Sequence, residues 1–478
     1  MSLVLYNTMT GKKEELFPVE KGKLKIYVCG PTVYDDSHVG HARAVVVFDV
    51  LVRYLRTRGF EVDYVRNFTD LDDKIIQRAR ERGLEYLELA EDYIRSFHED
   101  MDALGALRPD REPRATEYID RMLDDVRALV DAGAAYQVDG DVYFDVARFD
   151  GYGRLSGRNI EDMKAGARVK IDERKRSPLD FALWKESKPG EPAWDSPWGP
   201  GRPGWHIECS TMSYHLLGEV FDIHGGGHDL VFPHHENEIA QSAALGRRFA
   251  RLWMHNGFVN VNQEKMSKSL GNFFTVKEIL ARFHPEVLRL FLVSKHYRGP
   301  IDYTDENLEE TARSLDRAYR SIQLAHKRGL DPTLPKPGPE TDDIRGQFTQ
   351  ALDDDLNTAR ALGFLFEAVR EINRLIDEAG DGPVDLEQIG SWVAAAREMG
   401  SILGILGRDP EAYFQSRAEL GLTESDLTPE RIGEMVRARS EARARKDWAE
   451  ADRIRDRLKD YGVVLEDAGG ETRWRMET

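Results

Sequence analysis

Cys29-Gly30-Pro31-Thr32-Val33-Tyr34-Asp35-Asp36-Ser37-His38-Val39-Gly40-His41 separates two segments of different periodicity. Before it, Leu24-Lys25-Ile26-Tyr27-Val28-Cys29 alternates like a short strand and ends at the Gly30-Pro31 break. After it, Val45, Phe48, Val52 and Leu55 share one face of a helix expected over His41 to Arg58, stopped by Gly59. Phe60 to Phe68 reads as the next strand. Strand, helix and strand within about 45 residues make the βαβ unit of a parallel sheet, so the first half of the chain is α/β.

Outward from that unit, the chain runs to 478 residues and 54.5 kDa, too long for one hydrophobic core, and about three domains are expected. Hydrophobic residues at 41%, charged residues at 32% and a mean hydropathy of −0.53 exclude disordered and collagen-like classes. The best apolar run, Ala44 to Phe48, stops at Asp49, far short of the ~18 residues a membrane span needs. Met-Ser-Leu-Val-Leu-Tyr-Asn at the N-terminus has neither the basic start nor the apolar core of a secretion signal. Two cysteines cannot build a disulfide framework and suit a reducing cytoplasm. A net charge of −18 argues against blanket affinity for nucleic acid or acidic membranes, while leaving room for local basic patches.

Pro189 to Gly204, rich in Pro, Gly and Trp, reads as an ordered loop. From Asp305 the pattern becomes helical. Leu308, Leu315, Tyr319 and Ile322 form one stripe, and Leu352, Leu362, Leu365, Val369 and Ile372 another. Leu330 to Asp342, with its prolines, is an expected exposed connection, and a third helical stretch covers Leu386 to Leu406. A basic helix is expected over Arg437 to Lys459, followed by a short hairpin over Gly462 to Arg475.

Three segments carry chemistry. The loop from Pro31 to His41 opens a helix, where backbone N–H groups favour anions and His38 and His41 can add donors to the same phosphate. Lys265-Met266-Ser267-Lys268-Ser269-Leu270-Gly271-Asn272 places two ammonium groups in a short loop suited to clamping transferring phosphoryl oxygens. A plain polar cap and a solvated turn are the bland alternatives, and the two segments occurring together weaken both. The third is a donor set. Cys29 ends a strand, and Cys209 lies in Gly204-Trp205-His206-Ile207-Glu208-Cys209. In Phe232-Pro233-His234-His235-Glu236-Asn237-Glu238, Pro233 can start a helix that puts His234 and Glu238 on one face. Two thiolates, an imidazole and a carboxylate suit zinc. The cysteines lie 180 residues apart, so no local spacing supports the set. His235 competes with His234, and Glu236 with Glu238. Two buried core cysteines beside a solvated His–Glu face remain the bland alternative.

Phe221-Asp222-Ile223-His224-Gly225-Gly226-Gly227-His228-Asp229-Leu230, Arg66-Asn67-Phe68-Thr69-Asp70 and Asp354-Asp355-Leu356-Asn357-Thr358-Ala359 add to these segments, as do Lys446 to Asp452 and Thr472-Arg473-Trp474-Arg475. Together they resemble the cysteinyl-tRNA synthetases of class I over nearly the full chain. The resemblance implies a Rossmann-like parallel-sheet catalytic domain with a zinc site and an inserted connective region over residues 1–304. An α-helical bundle over 305–425 and a small C-terminal anticodon-binding domain over 426–478 would follow. It implies one zinc per chain on Cys29, Cys209, His234 and Glu238, and ATP with Mg²⁺ near His38, His41, Lys268 and Asp229. Cys29, Thr69, Trp205 and His224 would line the amino-acid and adenosine pockets. Adenylate formation from L-cysteine and transfer to the terminal adenosine of the cysteine tRNA would follow, with positioning and charge stabilisation by His38, His41, Lys265 and Lys268. Zinc holding the substrate as thiolate would reject serine better than shape can.

The expected partners are cysteine tRNA at its acceptor end and anticodon, with no membrane, and the expected state is a cytoplasmic monomer. Between Arg437 and Lys459, nine basic residues face five acidic ones around Trp448, a pattern suited to phosphates and an unstacked base. Two rivals differ in class: a ligase joining cysteine to an amino-sugar acceptor, as in the mycothiol pathway, and a non-catalytic RNA-binding paralogue. The length of chain after Asp305 counts against the first, and the intact phosphate-binding segments against the second.

Overall fold

A computed structural model of the chain describes residues 2–159, 174–262, 264–265, 273–333, 336–422, 429–445, 447–460, 463–468 and 471–476. It divides into two units. The first comprises Met1–Phe273, Lys295–Asp302 and Thr349–Arg360; the second comprises Phe274–Ser294, Tyr303–Phe348 and Ala361–Thr478.

The first unit opens with an antiparallel hairpin, β1 (Val4–Asn7) and β2 (Lys12–Glu15). The expected βαβ unit follows as β3 (Lys23–Val28), α1 (Val39–Thr57) and β4 (Glu61–Arg66). β4 pairs parallel to β3, with Tyr27 opposite Val65. The helix begins two residues before the expected His41, because the His38 side chain caps it and lets Val39 take the first helical position. It is also buried almost all round rather than on one face, with Val46, Val50 and Leu51 as enclosed as Phe48 and Leu55. A helix lying on a parallel sheet and covered from outside must be apolar on both sides.

Three helices follow, α2 (Asp73–Arg82), α3 (Tyr86–Ala103) and α4 (Ile119–Asp131), then an antiparallel sheet ordered β5 (Ala135–Val138), β6 (Asp141–Phe144), β7 (Phe181–Glu186) and β8 (Gly201–Pro203). The stretch read as a loop over Pro189 to Gly204 thus ends in a strand. Three residues containing a proline are enough for an edge strand and carry no periodic signal.

The chain then returns to the parallel sheet through α5 (Trp205–Leu217), β9 (Val220–Gly227), α6 (Glu236–Ala244) and β10 (Phe249–Asn256). The strand order is β10-β9-β3-β4, so β9 lies against the free side of β3, with Tyr27 opposite His224 and Val28 opposite Gly225. The order of connection reverses between β3 and β9, and open parallel sheets commonly bind ligands beyond the carboxyl ends of the strands at such a reversal. A β-carbon at Gly225 would stand 2.3 Å from the Phe48 ring, so glycine there lets α1 lie directly on the sheet. A short strand, β11 (Val259–Val261), pairs antiparallel with Glu264–Lys265.

Asp353, Asp354 and Asp355 belong to this unit although the helices around them lie largely outside it. The fully buried Asp355 carboxylate accepts hydrogen bonds from the Tyr6 backbone N–H at 2.9 Å, the Tyr297 hydroxyl at 2.7 Å and Arg298 Nε at 2.8 Å. Asp353 accepts from the Tyr54 hydroxyl at 2.6 Å and from Arg58 at 2.8 Å, and Asp354 pairs with Lys13. Asp355 and Leu356 take positive φ values of 63° and 46°, which ends one helix at Asp353 before the next starts at Thr358. The apolar stripe expected to run from Leu352 through Ile372 is therefore broken in the middle.

The second unit is mostly helical. Asp305–Lys327 buries Leu308, Leu315, Tyr319 and Ile322, the expected stripe, and Leu386–Leu403 ends on Gly404 in the left-handed conformation. In the connection expected to be exposed, Leu330 and Thr341 are buried and Pro339–Thr341 makes a helical turn. The basic helix expected over Arg437 to Lys459 is two helices, Pro429–Ala444 and Trp448–Asp460. Asp447 divides them, its carboxylate accepting from the Glu450 N–H at 3.1 Å as an N-cap. The hairpin pairs Val463–Ala468 with Glu471–Met476 and packs Val463 with Ile432 and Leu458. No described helix is long and apolar enough to cross a membrane.

Asp355→Ala removes the acceptor of three donors at once and leaves the Arg298 guanidinium without its carboxylate. It is expected to destabilise the first unit by about 3–5 kcal/mol. The fall in urea midpoint of the full chain, with the slope unchanged, measures it.

Candidate functional site

Cys29 leaves the end of β3 at the reversal of strand order, and its N–H donates to the Gly225 carbonyl of β9 at 3.0 Å. The turn after it passes so close to the strand-end beyond β4 that a β-carbon on Gly30 would lie 1.6 Å from the Asn67 carbonyl oxygen. Only glycine fits there. The Asn67 side chain accepts the Gly30 N–H at 2.9 Å, and its oxygen also lies 3.7 Å from Cys209 Sγ, on α5.

Around Cys29 the chain gathers the expected donors. Cys29 Sγ is 3.5 Å from His234 Nε2 and 3.5 Å from Glu238 Oε1, and His234 Nε2 is 3.2 Å from Glu238 Oε1. One ligand atom from each of Cys29, Cys209, His234 and Glu238 lies within 4.8 Å of the others. Zinc bonds of ~2.0–2.3 Å to nitrogen, oxygen and sulfur imply donor separations of roughly 3.3–3.7 Å on the edges of a tetrahedron. The spacings match. A second group, Cys29, His224, His235 and Glu238, meets the same 4.8 Å limit and shares two members with the first.

The rivalry between neighbours thus resolves unevenly. His234 and His235 both reach the cluster, whereas Glu236 turns away and accepts the backbone N–H of Ser156 at 2.9 Å. The local backbone explains this. Val231–His235 forms a wide turn and regular helix starts only at Glu236, three residues later than Pro233 suggested, so consecutive imidazoles can flank Glu238 from two sides.

Glu238 and the four imidazoles of His224, His234, His235 and His255 are all buried. Burial, reinforced by neighbouring imidazoles, holds His234, His235 and His255 well below the ordinary histidine range. Burial also pushes His206 down to about 3. The rings are therefore neutral, the form that can ligate a metal. Burial first, then the neighbouring Cys209 and Glu238, pushes the Cys29 thiol well above its ordinary value, and burial raises Cys209. The Glu238 Oε2, His224 Nδ1 and His235 Nε2 atoms are buried without a hydrogen-bond partner, although Glu238 Oε2 stands 3.3 Å from His224 Nε2. A buried carboxylate oxygen and a buried imidazole nitrogen in this condition beside two thiols fit a divalent cation, which would also reverse the upward pressure on the thiols.

The remaining expected residues divide. Trp205 stacks on His234 with ring centres 4.2 Å apart, and Thr69 donates its hydroxyl to the buried Glu208 at 2.7 Å. His224 stacks on Tyr27 at 5.3 Å and touches Trp253 at 4.4 Å. Asp229 is exposed on the turn His228–Leu230. His38 Nδ1 accepts from the N–H groups of Gly40 and His41 at 3.1 and 3.3 Å, and His41 Nδ1 accepts from the His38 N–H at 3.3 Å. The two rings stack at 3.6 Å, and because both Nδ1 atoms accept, each carries its proton on Nε2 as a donor. The first-turn amides expected to face an anion are thus capped by His38 itself. The backbone of Lys265 pairs with Asn260, while Lys268 lies outside the described residues.

Sequence reasoning missed the imidazoles behind the cluster. His206 Nδ1 meets His234 Nδ1 at 2.9 Å, while His235 Nδ1 meets His255 Nε2 at 2.7 Å and His255 Nδ1 meets Thr8 Oγ1 at 2.8 Å. The available signal was that His206 lies three residues from Cys209 on the same helix.

Comparison with known proteins places each part of the chain. Residues 15–313 match the model of the class I (C) tRNA synthetase catalytic domain, 347–407 the DALR domain, and 425–475 the cysteinyl-tRNA ligase anticodon-binding domain. The cysteine--tRNA ligase of Syntrophobacter fumaroxidans is 52% identical over 494 aligned residues, covering 100% of both chains. That of Methylococcus capsulatus is 54% identical over 480, covering 99% of this chain and 100% of its own. The Mycobacterium tuberculosis methionyl-tRNA synthetase bound by methionyl-adenylate shares the fold with a TM-score of 0.60 at 17% identity, over 85% of this chain and 95% of that one.

The geometry separates the two carboxylates experimentally. Glu238→Gln is expected to weaken Co²⁺ binding roughly tenfold or more, while Glu236→Gln, which changes only a backbone cap, leaves it within about twofold. Competition against a chromophoric chelator reads both.

Proposed function

The chain belongs to the cysteine--tRNA ligase family, a class I synthetase family whose reaction is the ATP-dependent joining of cysteine to tRNA, and from that premise we propose how its own residues divide the work. An amino-sugar acceptor is not supported, since the relatives are tRNA ligases along their whole length and residues 425–475 match an anticodon-binding domain.

The observation that carries the proposal is the meeting of Cys29, Cys209, His234 and Glu238 at the reversal of strand order. These four residues would hold zinc, one per chain. Two sulfurs make this donor group softer than the overlapping one, which leaves His224 and His235 to face the substrate side chain. A zinc there would accept cysteine as a thiolate and discriminate against the hydroxyl of serine, which shape alone rejects by only about a hundredfold. Trp205 and Thr69 close the amino-acid pocket, one stacked on His234 and the other fixed by Glu208.

His38 and His41 present their Nε2–H groups to the phosphates of ATP·Mg²⁺, with the rings oriented by their own backbone caps. Lys265 and Lys268 stabilise charge on the phosphoryl oxygens as the cysteine carboxylate attacks the α-phosphate, and Asp229 contributes to nucleotide binding. Catalysis needs no side-chain nucleophile. It rests on positioning and electrostatics before the adenylate passes to the 2′-hydroxyl of the terminal tRNA adenosine.

The catalytic domain is assigned to residues 1–304, the helical bundle to 305–425 and the anticodon-binding domain to 426–478, supported by the spans of the three family matches. Trp448 supports the last assignment, being 59% exposed at the start of its helix. Arg453 and Arg455 pair within that helix, to Glu450 and Asp452, so it is not wholly a free cationic surface. Two cysteines placed as metal ligands rather than in a disulfide suit a reducing cytoplasm, and action as a monomer belongs to the same reading.

Three outcomes test this division. Cys209→Ser is expected to lower zinc content and cysteine-dependent ATP–pyrophosphate exchange together; metal-free protein that activates cysteine fully and still rejects serine sinks the zinc assignment. Lys268→Ala is expected to cut kcat for activation ~10²-fold with cysteine KM little changed, and a raised KM at unchanged kcat would mark a ground-state contact instead. Truncation at residue 425 should spare exchange but abolish charging; a truncated chain that folds and charges tRNA normally refutes the C-terminal assignment.

A further inference from the structure

We infer that His206 is a positioning residue that selects the metal-competent tautomer of His234. The two Nδ1 atoms face each other at 2.9 Å, and neutral rings in that arrangement share one proton between them. If His234 Nδ1 holds the proton, its Nε2 offers a lone pair towards Cys29 Sγ and Glu238 Oε1, at 3.5 and 3.2 Å. If His206 Nδ1 holds it, His234 carries its hydrogen on Nε2, pointing into the donor cluster, and cannot ligate. In the metal-loaded protein His206 must therefore accept at Nδ1 and keep its own proton on Nε2.

The surroundings hold this pair in place. Trp205 stacks on the His234 ring with planes 27° apart, and Phe181 packs edge-on against His206 at 5.4 Å. His206 and Cys209 stand one helical turn apart on α5, so a single helix supplies one donor atom and the acceptor that aims another. His235 lacks this relation to His206. Its Nδ1 belongs to the separate chain through His255 to Thr8, which makes the two adjacent imidazoles chemically distinct. Groups behind a metal-bound histidine commonly fix its tautomer, and their loss costs about 10–100-fold in metal affinity.

The inference rests on the zinc assignment above, and the experiment separates their failures. Zinc-loaded protein is challenged with a chromophoric chelator and the release rate is followed for the unsubstituted chain, His206→Asn and His206→Phe. Asparagine keeps an acceptor oxygen near the place of Nδ1; phenylalanine fills the volume without one. Release is expected to be about 10–100-fold faster in His206→Phe and within about threefold of the unsubstituted rate in His206→Asn. Equal release from all three overturns the role of His206 alone, and a parent protein that takes up no zinc overturns the site itself. Should His206→Phe fail to fold, long-range proton–nitrogen spectra of the histidines in the unsubstituted, zinc-loaded chain decide. The expected pattern is a protonated Nδ1 on His234 and an unprotonated one on His206; the reverse pattern refutes the inference.

Discussion

Glu238 carries a carboxyl group sealed from water whose ionic contacts, among the described residues, are all imidazoles, from His224, His234 and His235. Burying a charged group without a fixed counter-charge costs several kcal/mol. Two thiols at the same spot deepen the debt once either ionises. A bound cation resolves all of these costs together, which is why the cluster reads as a metal site rather than as core.

That arrangement depends on the sheet. Cys29 reaches the cluster because β3 ends where the order of strands reverses, and β9 brings His224 opposite Tyr27. The backbone on either side is brought close by glycine, at Gly30 against the Asn67 carbonyl and at Gly225 under Phe48. His38 and His41 follow on the same strand-to-helix turn, a fixed number of residues from Cys29. One strand-to-helix turn thus registers the donor cluster to the stacked imidazoles of His38 and His41.

The three aspartates from Asp353 to Asp355 show how a segment from beyond the sheet can belong to it. Asp355 ties β1, through the Tyr6 N–H, to Tyr297 and Arg298, while Asp353 ties down the end of α1 through Tyr54 and Arg58. These contacts are stronger than the weak apolar content of the segment would predict, because charge-assisted bonds in a buried setting carry more than neutral ones. The acidic motif is accounted for by architecture, with no need of a catalytic role. It also shows why a net charge of −18 is a poor guide to partners, since several of these carboxylates are consumed inside the fold.

The parallel βαβ unit, the helical second half, the small C-terminal hairpin and the residue types of the site were all legible in the sequence, because each rests on local periodicity, capping chemistry or ligand softness. Bundle boundaries were less so. Asp447 and the positive φ angles at Asp355 and Leu356 interrupt helices whose apolar pattern continues across the break. What the tertiary structure alone decided is which residues meet. Cys29 and Cys209 are 180 residues apart, and no spacing rule joins them until β3 and α5 converge on the same donor cluster. His234 and His235 are alternatives in sequence, yet both reach Glu238, because a wide turn rather than regular helix precedes Glu236. Glu236 and Glu238 differ only in direction. The contact of His206 with His234 is likewise invisible in one dimension, since a hydrogen bond between imidazoles depends on ring positions that packing sets and periodicity does not record.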